Sequence, residues 1–135
     1  YLKMKYANTS IRFVGSIYDK QALDSLRYYA SIYFHGHSVG GTNPSLLEAM
    51  ASQAFIIAHD NEFNGSVCGE NAYYFTSKED VSSLILANRD GDDMERKKMI
   101  QQNLRTVYQD YSWNHIVESY ENLFLNGLES NRITE

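Results

Sequence analysis

SIYFHGHSVGGTNPSLLEAMASQAFIIAH, residues 31–59, is the stretch that decides the fold. Its first four residues form a short β-branched and aromatic run, which is typical of a strand. Residues 54–58 are continuously apolar, as expected of a strand that is buried on both faces of a parallel sheet. Between these runs, Asn43 and Pro44 predict the N-cap and first turn of a helix over residues 45–52. The stretch therefore predicts a strand–helix–strand unit of an α/β fold.

Further elements are predicted on both sides of this unit. In chain order they are a strand over 11–14 that stops at Gly15, a helix capped by Asp19, a polar loop over 59–70, a strand over 72–75, a helix capped by Ser77, and two final helices that meet at Ser112 and end at Asn126-Gly127. This order predicts a Rossmann-like parallel sheet flanked by helices. We expect one domain over residues 1–128 and a polar tail over 129–135.

Composition and charge exclude several classes of protein. With 43% apolar residues, the 135-residue chain can form a packed core and should not be disordered. A net charge of -5 argues against a general nucleic-acid binder, which needs a basic face. The single Cys68 excludes an internal disulfide and zinc sites built on several thiolates. The chain starts with Tyr1 in the middle of a pattern, so we expect a fragment of a longer protein.

The loop before the predicted helix is the strongest candidate for a ligand site. Gly40 and Gly41 permit close backbone approach by a ligand, and Thr42 and Asn43 add small polar groups. The helix that Asn43 and Pro44 open would offer free N–H groups and the positive end of its dipole to an anion, phosphate above all. Alternatively, the glycines merely turn the chain and Asn43 merely caps the helix. The loop matches neither the Walker pattern nor the GxGxxG dinucleotide pattern.

Glu48 lies one turn into the same helix, and its side chain should lean back toward the loop. A carboxylate beside a phosphate would be repulsive, but it could accept hydrogen bonds from the two hydroxyls of a ribose. The alternative is a solvated glutamate that the helix dipole favours. The apolar neighbours Leu47 and Ala49 make a fully solvated position less favourable.

Four other residues at predicted strand ends, His35, His37, His59 and Asp60, could suggest a metal site. A His-x-His pair needs a third ligand nearby, and loop hydrogen bonding is the more common role, so we predict no metal. Cys68 lacks a matched histidine base and is interpreted as a plain buried or half-buried thiol.

Residues 37–51, HSVGGTNPSLLEAMA, resemble the C-terminal half of GT-B glycosyltransferases of family 4. Members of that family carry two glutamates separated by seven residues, and Ala-Met-Ala follows the second, as it follows Glu48 here. The resemblance extends over about residues 11–124. It includes the run IRFVGSI at 11–17 and Tyr-Ser-Trp at 111–113, which is similar to the opening of the family's closing helix. Within the family, the chain is most similar to bacterial rhamnosyltransferase-like proteins.

The resemblance implies roles for particular residues. The backbone at Ile17 would contact the nucleotide base, and Glu48 would hold the ribose. The backbone of Gly40, Gly41, Thr42, Asn43 and Pro44 would face the diphosphate and the donor sugar. The chain departs from the family at Gly40, where the first glutamate would fall. No metal and no further cofactor are implied.

The implied activity is hexosyl transfer, with rhamnosyl as a candidate, from a nucleotide diphosphate sugar to a saccharide acceptor in bacterial surface polysaccharide synthesis. A lipid-linked acceptor is one option. We expect a cytoplasmic location, with peripheral attachment to the inner face of the membrane left open, and no nucleic-acid partner. The fragment would lack its first strand and the N-terminal acceptor domain, and would be inactive alone. The alternatives are a GT-B-like epimerase or phosphorylase, or a non-catalytic α/β ligand-binding or regulatory domain.

Overall fold

A parallel sheet of three strands lies at the centre of the computed structural model, which describes residues 1–89 and 94–132. The strands β1 (Tyr33–His35), β2 (Ile56–His59) and β3 (Tyr73–Phe75) lie side by side in chain order. Tyr33 pairs with Ile56 across the first interface, and Ile57 pairs with Tyr73 across the second. The predicted α/β class with a parallel sheet flanked by helices is confirmed at this level.

Helices connect and flank the strands. In chain order they are α1 (Leu2–Lys5), α2 (Lys20–Tyr29), α3 (Pro44–Ala51), α4 (Glu62–Cys68), α5 (Lys78–Ala87), α6 (Met94–Asp110) and α7 (Trp113–Arg132). The helices α3 and α4 are the crossovers between successive strands, as parallel pairing requires.

The alternation of side chains along β2 divides the core between the two faces of the sheet. Ile56 and Ala58 point to one face, where they join the fully buried Leu46 and Met50 of α3. Phe55 and Ile57 point to the other face. Residues of α6 join both clusters, so this helix contacts the core on both faces of the sheet. The central strand is buried on both faces, as its apolar run predicts.

The predicted caps are confirmed by hydrogen bonds. Asp19 accepts from the amide of Ala22, and Asn43 accepts from the amide of Ser45 with Pro44 at the first helical position. Ser77 forms a full capping box with Asp80 at the start of α5. The remaining cap, Ser112, accepts from the amide of His115 at 3.3 Å.

Three expectations are wrong. Residues 11–14 form no strand, and the side chains of Ile11 and Val14 are 51% and 71% exposed. β propensity depends on a partner strand and a covered face, and here this run has neither among the described residues. The predicted loop over 59–70 contains α4, and α7 continues through Asn126-Gly127 to Arg132. The predicted tail is therefore helical over 129–132, and residues 133–135 lie outside the described part.

Candidate ligand-binding site

The loop between β1 and α3 has an irregular backbone that glycine makes possible. Gly40 has a φ of +103°, a conformation that favours glycine over any L residue. A Cβ at this position would meet no atom within 4 Å, so the restriction comes from the backbone and not from crowding. The glutamate that the family pattern places at this position would therefore be strained in this loop conformation.

The free backbone donors lie on the loop and not in the first turn of α3. Asn43 uses its side chain to accept from the Ser45 amide at 2.9 Å and its carbonyl to accept from the Leu46 amide at 3.0 Å. Because Pro44 has no N–H, the first turn offers no open amide, unlike the sequence-based expectation. Within the part of the chain that the structure describes, the amides of residues 40–42 donate to no protein acceptor.

Glu48 forms an ion pair with Arg27 of α2. The Nη2 atom of Arg27 donates to Oε2 of Glu48 at 2.8 Å. The arginine side chain is 7% exposed and the glutamate side chain is 47% exposed, so the pair has one buried and one accessible member. Glu48 is thus neither fully solvated nor free, because a buried cation fixes one of its oxygens.

A chain of polar contacts extends from this pair along α2. Nη1 of Arg27 donates to Asp24 at 3.3 Å, and Asp24 also accepts from Lys20 and from the hydroxyl of Ser52. The hydrogen bond from the Lys20 ammonium, more than any other cause, holds the pKa of Asp24 below its usual value. These contacts join α2 to α3 and fix the helix that carries Arg27 beside the helix that carries Glu48.

Ile17 lies in a groove of about 340 Å³ between the 14–17 segment and α2. The groove is mostly apolar and is lined by Val14, Gly15, Ile17, Leu23, Leu26, Arg27, Ala30 and Tyr33. Arg27 therefore lines the same groove as Ile17 and also contacts Glu48. The structure places Ile17 in a groove that Arg27 also lines, and it places Glu48 in direct contact with the Arg27 guanidinium.

The third part of the predicted site, the loop over 40–42, is not hydrogen-bonded to the other two parts in the described structure. No hydrogen bond among the described residues links the loop over 40–42 to Glu48 or to Ile17. The loop is exposed and leads into the helix that carries Glu48. The loop is therefore connected to Glu48 through the backbone of α3.

A larger groove of about 530 Å³ lies along α2 and the end of α3. It is lined by Lys20, Gln21, Asp24, Ser25, Tyr28, Tyr29, Ser52 and Gln53. Its charged members, Lys20 and Asp24, already bond to each other. It includes none of the candidate site residues that the sequence predicted.

Arg27 is a site residue that sequence analysis missed, although a signal was present. Leu23, Leu26 and Ala30 are spaced as one apolar face of α2, and Arg27 lies at the same helical spacing among them. An arginine in an otherwise apolar stripe needs a buried acceptor, because burying an unpaired charge is costly. That reasoning predicts a carboxylate opposite Arg27, which the structure supplies as Glu48.

The histidines at the strand ends take part in packing and loop contacts. His35 is buried, and its ring stacks on that of His37 with centroids 5.8 Å apart. The carbonyl of His37 accepts hydrogen bonds from Asn61 and from the buried Asn64. Among residues 1–89 and 94–132, no group of three or more His, Cys, Asp or Glu side chains could hold a metal ion.

Cys68 is a buried thiol on α4, as predicted. Its side chain is 2% exposed, and its sulfur lies 4.0 Å from the sulfur of Met50. Burial raises the pKa of the Cys68 thiol to about 12, so the thiolate is scarce at neutral pH. The thiolate is the nucleophilic form, and Cys68 therefore has no catalytic character in this structure.

Comparisons with protein-family models, with curated proteins and with solved structures found no match for this chain. The helices of the described part include none that is long and apolar enough to span a bilayer.

Proposed function

We propose that this chain is the nucleotide-sugar-binding domain of a GT-B glycosyltransferase of family 4. The observation that carries the proposal is the contact between Glu48 and the buried Arg27, which also lines the groove beside Ile17. The residue that the resemblance assigns to the ribose thus contacts a side chain that lines the groove of the residue assigned to the base. This arrangement suits a nucleoside whose base enters the groove and whose sugar reaches α3.

The chemistry of the donor set suits a nucleotide diphosphate. Oε2 of Glu48 is held by Arg27, and Oε1 makes no hydrogen bond within the described residues, so a ribose hydroxyl can donate to it. The open amides of residues 40–42 can donate to phosphate oxygens. The dipole of α3 adds a partial positive charge at its N-terminus, which favours the same anion.

The reaction that we propose is transfer of a hexosyl group, with rhamnosyl as a candidate, to a saccharide acceptor in surface polysaccharide synthesis. The nucleoside diphosphate is the leaving group, and backbone amides and basic side chains stabilise its growing charge. The acceptor and the residues that contact it belong to an N-terminal domain in this proposal. Catalysis in such a cleft requires groups from both sides in register, so transfer needs both domains.

Calorimetric titration with uridine, thymidine, guanosine and adenosine diphosphates tests the proposal directly. We expect weak binding of at least one nucleotide, unchanged by added magnesium or by a chelator, because protein amides and not a cation would hold the phosphates. Binding that requires a divalent cation would contradict the proposed phosphate site. Absence of binding by all four nucleotides would contradict the proposed function.

Glu48→Gln tests the side chain on which the proposal depends. Hydrogen bonds to a charged group contribute about 1.5–3 kcal/mol, so we expect nucleotide affinity to fall about ten-fold or more. Removing the 3′-hydroxyl from the nucleotide should weaken binding to the unmodified chain and barely affect binding to the variant. The matched control is Glu79→Gln, which changes a 71% exposed glutamate on α5 that lines neither the groove nor the loop.

Because Glu48 is paired with Arg27, Glu48→Gln is expected to change stability as well as nucleotide affinity, and the two effects are measured separately. Glutamine can still accept a hydrogen bond from Arg27, but it lacks the charge that pairs with the buried guanidinium, so some loss of stability is expected. A variant that binds nucleotide as tightly as the unmodified chain, while melting at a lower temperature, would show that Glu48 is structural. The contrast between the normal and the 3′-deoxy nucleotide does not depend on stability and therefore decides the question.

A further inference from the structure

Arg27 is the buried charged side chain of the described structure, and its contacts hold a specific oxygen of Glu48. We propose that Arg27 is a positioning residue, which fixes Oε2 of Glu48 so that Oε1 faces the hydroxyls of a bound ribose. This inference rests on the proposed function of Glu48 and adds the residue that orients it.

The geometry explains why Glu48 needs such a partner. A glutamate that is 47% exposed can adopt several rotamers, and only some direct an oxygen toward a ligand. The guanidinium is planar and donates in fixed directions, so a 2.8 Å contact to one carboxylate oxygen selects an orientation. The contact between Nη1 and Asp24 holds the guanidinium itself from the other side.

Stability alone does not account for an arginine at this position. Buried ion pairs commonly contribute no more to stability than apolar side chains of similar volume. The Nε atom of Arg27 is buried and has no hydrogen-bond partner, which adds a desolvation cost. Since Leu23, Leu26 and Ala30 line the same groove, an apolar side chain would suit the packing. An apolar side chain would lose the contacts of the guanidinium to Asp24 and Glu48, and the contact to Glu48 is the one that acts on the proposed ribose ligand.

The test combines substitutions at Arg27 with removal of one ligand hydroxyl. Arg27→Met keeps a long apolar stem and should fold, because the accessible Glu48 can be hydrated when it loses its partner. Arg27→Lys keeps the charge but loses the planar fork. For each variant, calorimetry measures the dissociation constants of two ligands. The first is whichever of the uridine, thymidine, guanosine and adenosine diphosphates binds the unmodified chain. The second is the 3′-deoxy analogue of that nucleotide. Thermal melting is recorded alongside.

We expect the unmodified chain to lose about ten-fold in affinity when the 3′-hydroxyl is removed. In Arg27→Met, affinity for the complete nucleotide should fall about five-fold, and the 3′-hydroxyl contrast should shrink below about two-fold. In Arg27→Lys the contrast should lie between these values. Combining Arg27→Met with Glu48→Gln should add less than about two-fold to the effect of Glu48→Gln alone, because both changes remove the same interaction.

The control is Arg105→Met on α6, the same substitution at an exposed arginine that lines neither the groove nor the 40–42 loop, and it should leave both affinity and contrast unchanged. If Arg27→Met melts earlier but keeps the full contrast, the positioning role is overturned and the proposed function stands. If Arg27→Met does not fold, an undiminished contrast in Arg27→Lys overturns the role in the same way. If the unmodified chain shows no contrast, both proposals fail.

Discussion

His35 shows at the scale of one residue how burial makes stability depend on pH. It ends β1 with 3% exposure, and its ring lies between those of Tyr33 and His37. Burial, and secondarily the charge of His37, lowers the pKa of His35 from its usual 6.5. Its Nε2 atom has no hydrogen-bond partner among the described residues, so nothing there stabilises a proton on it.

We predict that this histidine destabilises the fold on acidification. Because its pKa is lower in the folded state, its contribution is complete above pH 6.5 and is lost progressively as the pH falls from there toward the folded-state value. His35→Phe should flatten the dependence of the free energy of unfolding on pH between about 7 and 5, measured by urea titration. The exposed His115→Gln is the control. An unchanged slope in His35→Phe would assign the pH dependence to other groups.

At the scale of single residues, exposed and capping residues can be identified from the sequence better than buried polar residues. Asn43 and Ser77 were identified because a cap depends on local sequence alone. Arg27 and Asn64 were missed because their roles depend on partners 21 and 27 residues away in the chain. The partner of a buried polar group becomes visible only when the elements are packed together.

At the scale of the element, the capping box of α5 gives a measurable prediction. The Ser77 hydroxyl accepts from the Asp80 amide at 3.1 Å, and the Asp80 carboxylate accepts from the amides of Thr76 and Ser77 at 2.9 Å. The hydrogen bond from the Thr76 backbone is the largest of the causes that lower the pKa of Asp80 to about 2. The Asp80 carboxylate of the capping box therefore remains charged well below neutral pH.

Ser77→Ala should lower the free energy of unfolding by about 1 kcal/mol, because the N3 amide of α5 loses its acceptor. The measurement is urea denaturation at pH 7. The matched control is Ser82→Ala within the same helix, where the exposed hydroxyl contacts only the Lys78 carbonyl, and the expected change is within about 0.5 kcal/mol. Equal effects of the two substitutions would show that the box contributes nothing beyond helix propensity.

Two of the three wrong expectations, the strand over 11–14 and the loop over 59–70, failed for opposite reasons. Residues 11–14 have strand propensity, but a strand forms only where a partner edge and a covered face exist. The helix α4 has a cap signal in Asn61, whose side chain accepts from the Asn64 amide, but Asn64-Gly65 also resembles a turn. The buried Val67 and Cys68 decide for the helix, because they pack into the core on one side of β2.

At the scale of the whole molecule, the core is strongly uneven. Buried side chains concentrate on β2, α3 and the end of α4, with Met99 and Asn103 of α6. In contrast, α7 has no buried side chain over residues 113–126, and its apolar residues Leu123 and Phe124 are 65% and 66% exposed. The spacing of apolar residues predicted a helix for both α6 and α7, because periodicity identifies an apolar face without showing what covers it.

This difference predicts unequal protection of the two last helices against hydrogen exchange. Amides of α7 after Glu121 should exchange faster than those of residues 100–108 in α6, because local opening of an uncovered helix exposes little apolar surface that folding had buried. Exchange followed by mass spectrometry at two protein concentrations measures the difference. Equal protection at both concentrations would show that α7 packs on its own domain. Protection that rises with concentration would show that a second copy covers the 117–124 face, and either result would contradict the prediction of a loosely held helix.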